Sequence, residues 1–140
     1  MGPSASQPDL FAALRAIALK VGDYAVFGSG PLIVRGIIPL ANDVDVVSRG
    51  LAWSQACALG TMVRLDDHDV EVVSFLDGRI TVGRTWAYGA PNIDDLIDSA
   101  ETIDDLPFVR LEHVVAYKEI AGRPKDLDHL EALRQWELSQ

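Results

Sequence analysis

A mixed α+β (α/β) domain is the fold class this sequence predicts, built as a small mixed β-sheet with helices packed on it. Three observations predict it. The chain has 140 residues, 49% hydrophobic and 24% charged, enough for one core and too few for two full domains. Short apolar runs bounded by turn residues lie in its middle, and stretches of helical spacing lie at both ends. In order, the elements run helix, strand, helix, several strands, then helices, the succession of a sheet covered by helices.

Residues 1–8 read as a loose leader and 9–140 as a single domain. Ser6 followed by Asp9 has the form of a capping box, and Pro8 is tolerated in a first turn. Leu10, Phe11, Leu14, Ile17 and Ala18 then recur at helical spacing, to about Lys20. Tyr24-Ala25-Val26-Phe27 is a buried-strand run that ends at Gly28-Ser29-Gly30, and Pro31 suits the start of a short helix to Arg35. A loop from Gly36 to Asn42 leads into a strand over 43–48, whose two-residue period puts Asp43 and Asp45 on one face. Residues 51–59 suit a helix, Thr61–Leu65 a weak strand, and 70–76 a strong one that turns through Asp77-Gly78 into 79–86. Helices are expected over 93–99, Leu111–Ala121 and 125–138, the last two separated by Gly122-Arg123-Pro124. The strands at 24–27, 43–48 and 70–76 are expected to be neighbours.

Twelve Lys and Arg against 21 Asp and Glu leave a net charge of −9. Such a field repels phosphate backbones and argues against an extended nucleic-acid footprint, while leaving room for a small basic pocket that holds one nucleotide. The longest stretch free of charged side chains, 50–63, spans 14 residues and includes Ser54, Gln55 and Thr61. A membrane span needs about 20 apolar residues, so none is expected, and the N-terminus lacks the pattern of a secretory signal. Cys57 is the only cysteine and sits among Trp53, Ala56, Ala58 and Leu59, which suggests a packed thiol in a reducing cytoplasm.

Gly28-Ser29 stands fifteen residues before Asp43, each motif beside an apolar strand. Gly28 permits a sharp turn and close backbone approach, and Ser29 adds a hydroxyl at a helix start, where amides favour phosphate. Asp43 and Asp45 can hold one or two hard cations, which neutralise a polyphosphate. A turn and two edge carboxylates explain each motif alone; together they point to a phosphate and metal site. Glu71, inside Val70-Glu71-Val72-Val73, is the candidate third carboxylate. A half-exposed strand would explain it equally, and Asp69 competes. Lys118 follows Leu111, Val114 and Val115 at i+7, i+4 and i+3, so it continues an apolar face and either snorkels or points at an anion. Lys118→Met keeps the apolar stem and removes only the charge, so it is expected to leave stability nearly unchanged. Arg123, Lys125 and Asp126 suit a cap on the last helix. His68, His113 and His129 are scattered and read as satisfied histidines; Trp53, Trp86 and Trp136 read as packing residues. The run Asp94, Asp95, Asp98, Glu101, Asp104, Asp105 reads as a solvated face.

Gly28-Ser29 after a strand, Gly36 in the next loop, Asp43-Val44-Asp45, then Lys118 and Arg123-Pro124-Lys125-Asp126-Leu127 resemble the nucleotidyltransferase superfamily, whose fold is shared with DNA polymerase beta. The likeness is nearest to small bacterial abortive-infection and lincosamide-type members, and it covers roughly residues 10–135. It implies that Gly28, Ser29 and Lys118 contact the phosphates of a nucleoside triphosphate, and that Asp43, Asp45 and Glu71 bind Mg2+ and carry catalysis. The reaction it implies is transfer of a nucleoside monophosphate to a small-molecule or protein acceptor. The stretch Ile37–Asn42 departs from the family in being apolar except for Asn42, the third acid is Glu, and no helical acceptor domain follows. These departures support the alternative, a catalytically degenerate fold that binds nucleotide or a partner, as half of a toxin–antitoxin pair. Association between copies of the chain is compatible with either reading. A phosphohydrolase with an Asp nucleophile fits less well, because a helix, a strand and Gly28-Ser29 precede the pair.

Overall fold

The computed structural model describes residues 9–39, 43–65, 70–85 and 91–140. The leader 1–8 with Ser6, the loop residues 40–42, His68, Asp69 and Trp86 lie outside them. The described elements are α1 (Leu10–Ile17), β1 (Tyr24–Phe27), α2 (Gly30–Val34), β2 (Val44–Ser48), α3 (Gly50–Leu59), β3 (Thr61–Leu65), β4 (Val70–Phe75), β5 (Ile80–Gly83), α4 (Ile93–Asp98), β6 (Glu101–Ile103), β7 (Leu106–Phe108), α5 (Leu111–Ala121) and α6 (Pro124–Leu138).

The strands form one mixed sheet in the order β3-β4-β5-β2-β1-β7-β6. β2 runs parallel to β5 and β1 parallel to β7; the other pairs are antiparallel. The chain therefore has the expected α+β class. One adjacency is corrected. β1 and β2 pair, but β5 separates β2 from β4, because Ile80 and Val82 are fully buried and take an interior position, whereas every residue of β3 is exposed and suits an edge.

Alternation along the strands divides the core in two. Tyr24, Val26, Val44, Val46, Val73, Ile80 and Val82 pack with Leu14 of α1 and with Ala52 and Ala56 of α3 on one face. Ala25, Phe27 and Val47 pack on the other with Leu96 and Ile97 of α4, Val114 and Tyr117 of α5, and Leu133 of α6. The Phe27 and Tyr117 rings meet edge to face at 4.9 Å between centroids, tying β1 to α5.

Four further details depart from expectation. Asp9 itself caps α1, its carboxylate accepting the Ala12 amide at 3.0 Å, and the helix stops at Ile17 because Ala18 turns left-handed. The β6–β7 hairpin carries no glycine signal: Asp104 and Asp105 make its turn at φ 51° and 66°, which short acidic side chains tolerate. Cys57 is exposed, since α3 buries Ala52 and Ala56 and turns Cys57 outward. The acidic run is only in part a solvated face: Asp94 and Asp98 join Asp23 around Arg49, and Glu101 pairs with Arg35. Among the described residues, no helix is long and apolar enough to cross a membrane.

Candidate functional site

β1 is followed by Gly28, which adopts φ +61°, and then by Ser29, the N-cap of α2. Pairing of Phe27 with Asp45 brings this turn over β2. A Cβ built on Gly28 would stand 2.8 Å from Asp45 Oδ2. Gly28 thus serves two needs, the left-handed turn and the approach to a carboxylate. Gly28→Ala should lower the urea midpoint by an amount equal to about 1–3 kcal/mol of stability, from left-handed strain plus the clash. Gly36→Ala shares the positive φ (+74°) but meets nothing within 4 Å, so it should cost less.

Asp45 lies in register with Phe27 and Thr81, on the face covered by α4, α5 and α6. Asp43, two residues earlier, is exposed beside it. Burial first, and then repulsion from Asp43, raise the Asp45 carboxyl to about 6, against the opposing pull of Lys125, Arg123 and Lys118. Asp45 therefore sits between a like charge just before its strand and a cationic wall on the C-terminal helices.

That wall is built from α5 and α6. Lys118 does not snorkel: its side chain is 3% exposed and its Nζ lies 3.4 Å from Oδ1 of Asp126, which is fully buried. Asp126 also closes a capping box, accepting the Arg123 amide at 3.1 Å and the Arg123 Nε at 2.6 Å. Burial pushes the Asp126 carboxyl up, but hydrogen bonds from Arg123 and the charge of Lys118 outweigh this and hold it below the usual carboxylate range. Burial lowers the Lys118 ammonium, with Asp126 opposing. The anion that Lys118 meets in the fold is thus Asp126, the residue expected only to cap.

Ser29 uses its side chain for no cap. Its Oγ accepts from Lys118 Nζ at 3.4 Å and lies 3.3 Å from His129 Nδ1, while Lys118 Nζ and His129 Nδ1 are 3.2 Å apart. The sequence reads His129 as a scattered, satisfied histidine; the one signal that points to it is its i+3 spacing from Asp126, which puts the two on one face of α6. Gly28, Ser29, Asp43, Asp45 and Lys118 are therefore brought to one end of β1 and β2, with His129 added.

Glu71 is not. Asp45 pairs with Thr81, and Thr81 with Ser74, so Ser74 and Val72 share the face of Asp45 while Glu71, Val73 and Phe75 point to the other. Val73 and Phe75 pack in the core under α1 and α3, and Glu71 lines an exposed groove with Arg64, Val70, Arg84 and Thr85. The assignment of Glu71 as third carboxylate is corrected on this ground: a one-residue step along a strand reverses the face. Among the described residues, no group of three or more His, Cys, Asp or Glu side chains could hold a metal ion. A cation here would rest on Asp43 and Asp45.

No protein-family model, curated protein or solved structure matches the chain.

Proposed function

We propose that the chain is a magnesium-dependent nucleotidyltransferase with a nucleotidyltransferase-like fold, which moves a nucleoside monophosphate from a nucleoside triphosphate to an acceptor hydroxyl. The observation that carries this reading is Gly28 abutting Asp45, with Lys118, Arg123 and Lys125 close enough to act on that carboxylate. Magnesium is commonly held by one or two carboxylates plus substrate phosphates, and the repelling pair Asp43 and Asp45 fits that donor set. When bound, the cation neutralises charge on the phosphates and polarises the reacting phosphoryl group.

The chain's own residues bind and orient. The absent Cβ at Gly28 lets the turn after β1 close onto Asp45, and Ser29 offers its hydroxyl hydrogen to a phosphate oxygen. Lys118, Arg123 and Lys125 offset the charge of the triphosphate in a chain that is acidic overall. In the transfer, the acceptor oxygen bonds to the α-phosphorus and the α–β bridging bond breaks. Pyrophosphate leaves, and the hydroxyl proton passes to solvent. Nucleoside triphosphates and magnesium are abundant in the cytoplasm, so the reading puts the chain there.

One observation favours the second reading, a degenerate fold that binds nucleotide or a protein partner: Glu71 lies on the far face, which leaves Asp43 and Asp45 as the candidate cation-holding carboxylates among the described residues. Incubation with α-labelled triphosphates, one base at a time, in the presence of cell lysate separates the two. Label transfer that disappears with Asp45→Asn supports the enzyme. Saturable triphosphate binding with no transfer to protein or small molecules supports the binder.

A further inference from the structure

His129 is a polar group of the site with no part in the transfer step, and its surroundings give it a defined task. Its Nδ1 faces Lys118 Nζ at 3.2 Å and Ser29 Oγ at 3.3 Å. An ammonium can only donate, and a neutral imidazole nitrogen has one lone pair, so Nδ1 must be the acceptor and Nε2 must carry the hydrogen. If Lys118 takes that lone pair, Ser29 accepts from the same ammonium at 3.4 Å, and its own hydrogen is free to turn outward. We propose that His129 is a positioning residue, whose Nδ1 holds the Lys118 ammonium and so directs the Ser29 hydroxyl hydrogen toward a phosphate of the bound nucleotide. The proposal rests on the nucleotidyltransferase reading and adds to it a residue that acts through two others.

The charged groups acting on the imidazole belong to two helices: Lys118 from α5, and Lys125, Asp126 and Asp128 from α6. Burial first, then Lys118, keeps His129 below its ordinary value, in the neutral form the network needs. Protonation at low pH would set a second cation 3.2 Å from Lys118 and turn Nδ1 from an acceptor into a donor, which breaks the arrangement.

The test compares His129→Asn with His129→Gln, because an Asn amide oxygen can occupy the place of Nδ1 whereas a Gln amide reaches the place of Nε2. Titration calorimetry with magnesium and each nucleoside triphosphate should find His129→Asn within about twofold of the wild type and His129→Gln weaker by about tenfold, the usual scale of one lost charge-assisted hydrogen bond. Wild-type affinity should also weaken more steeply on acidification than that of His129→Asn. Equal behaviour of the two variants overturns the proposal: if both bind as the wild type does, His129 is passive, and if both lose equally, it is merely structural. The free protein supplies a separate readout. Imidazole 15N spectra should show Nδ1 unprotonated and Nε2 protonated, and a protonated Nδ1 at neutral pH overturns the proposal. A wild type that binds no triphosphate overturns the proposed function instead, and His129 is then judged on its tautomer.

Discussion

Replacing Asp43 and Asp45 together by Asn is expected to raise the melting temperature of the free protein near neutral pH and to abolish the further rise given by magnesium with a nucleoside triphosphate. The first effect follows from Asp45, held at about 6 by burial and Asp43. Between its unfolded value near 3.9 and about 6, the folded chain keeps a proton that the unfolded chain has lost, so stability falls as pH rises through that window. The gap between those two values corresponds to roughly 2–3 kcal/mol above the window, or several degrees at about 2–4 °C per kcal/mol for a domain near this size. The double mutant should lose this dependence between about pH 4 and 6. The second effect follows from linkage: a ligand at a hundred times its Kd adds about 2.7 kcal/mol to the native state, and the mutant forfeits it. Differential scanning fluorimetry across pH, with and without magnesium and each triphosphate, reads both. An undiminished ligand shift in the double mutant would remove the metal site.

Lys118→Met should destabilise the fold by about 2–4 kcal/mol, although the apolar spacing of α5 alone predicts a near-neutral change. The difference is Asp126. Its side chain is fully buried, and deleting Lys118 strips one of its two cationic partners. Breaking one side of a buried pair typically costs about 3–5 kcal/mol, and Arg123, still bonded at 2.6 Å, moderates this. Lys118→Met combined with Asp126→Asn should recover part of the loss, since the stranded charge is gone and an amide oxygen can still accept from the Arg123 amide. Chemical denaturation of the single and double variants measures the coupling. Equal instability in both would mean that the packing of the lysine stem, and not the ion pair, is what α5 loses.

Local pattern carried most of the elements. Strand runs at 24–27 and 70–75 and the helix at 111–121 were legible because burial imposes periods of 2 and 3.6 on the side chains. The β6–β7 hairpin was not, because its three-residue strands are shorter than a periodicity can register and its turn uses two aspartates in place of glycine. Within the site, Gly28, Ser29, Asp43 and Asp45 were legible from their order and the strands beside them. His129 was not: it touches Ser29, 100 residues away in the chain, and only the packing of α6 beside α5 and the β1–α2 turn brings them together.

The sequence by itself determined the α+β class, the closeness of Asp43 to Asp45, and a Lys on the inner side of α5, since each depends on local spacing. Tertiary structure alone decided which strand lies beside β2, which face Glu71 takes relative to Asp45, and that Asp126 answers Lys118. These depend on register between strands and on the docking of one helix against another, where a shift of one residue reverses a face and a rotation of a helix changes every partner. Spacing within a segment is written in the chain, but the relation between segments is settled by what they jointly bury.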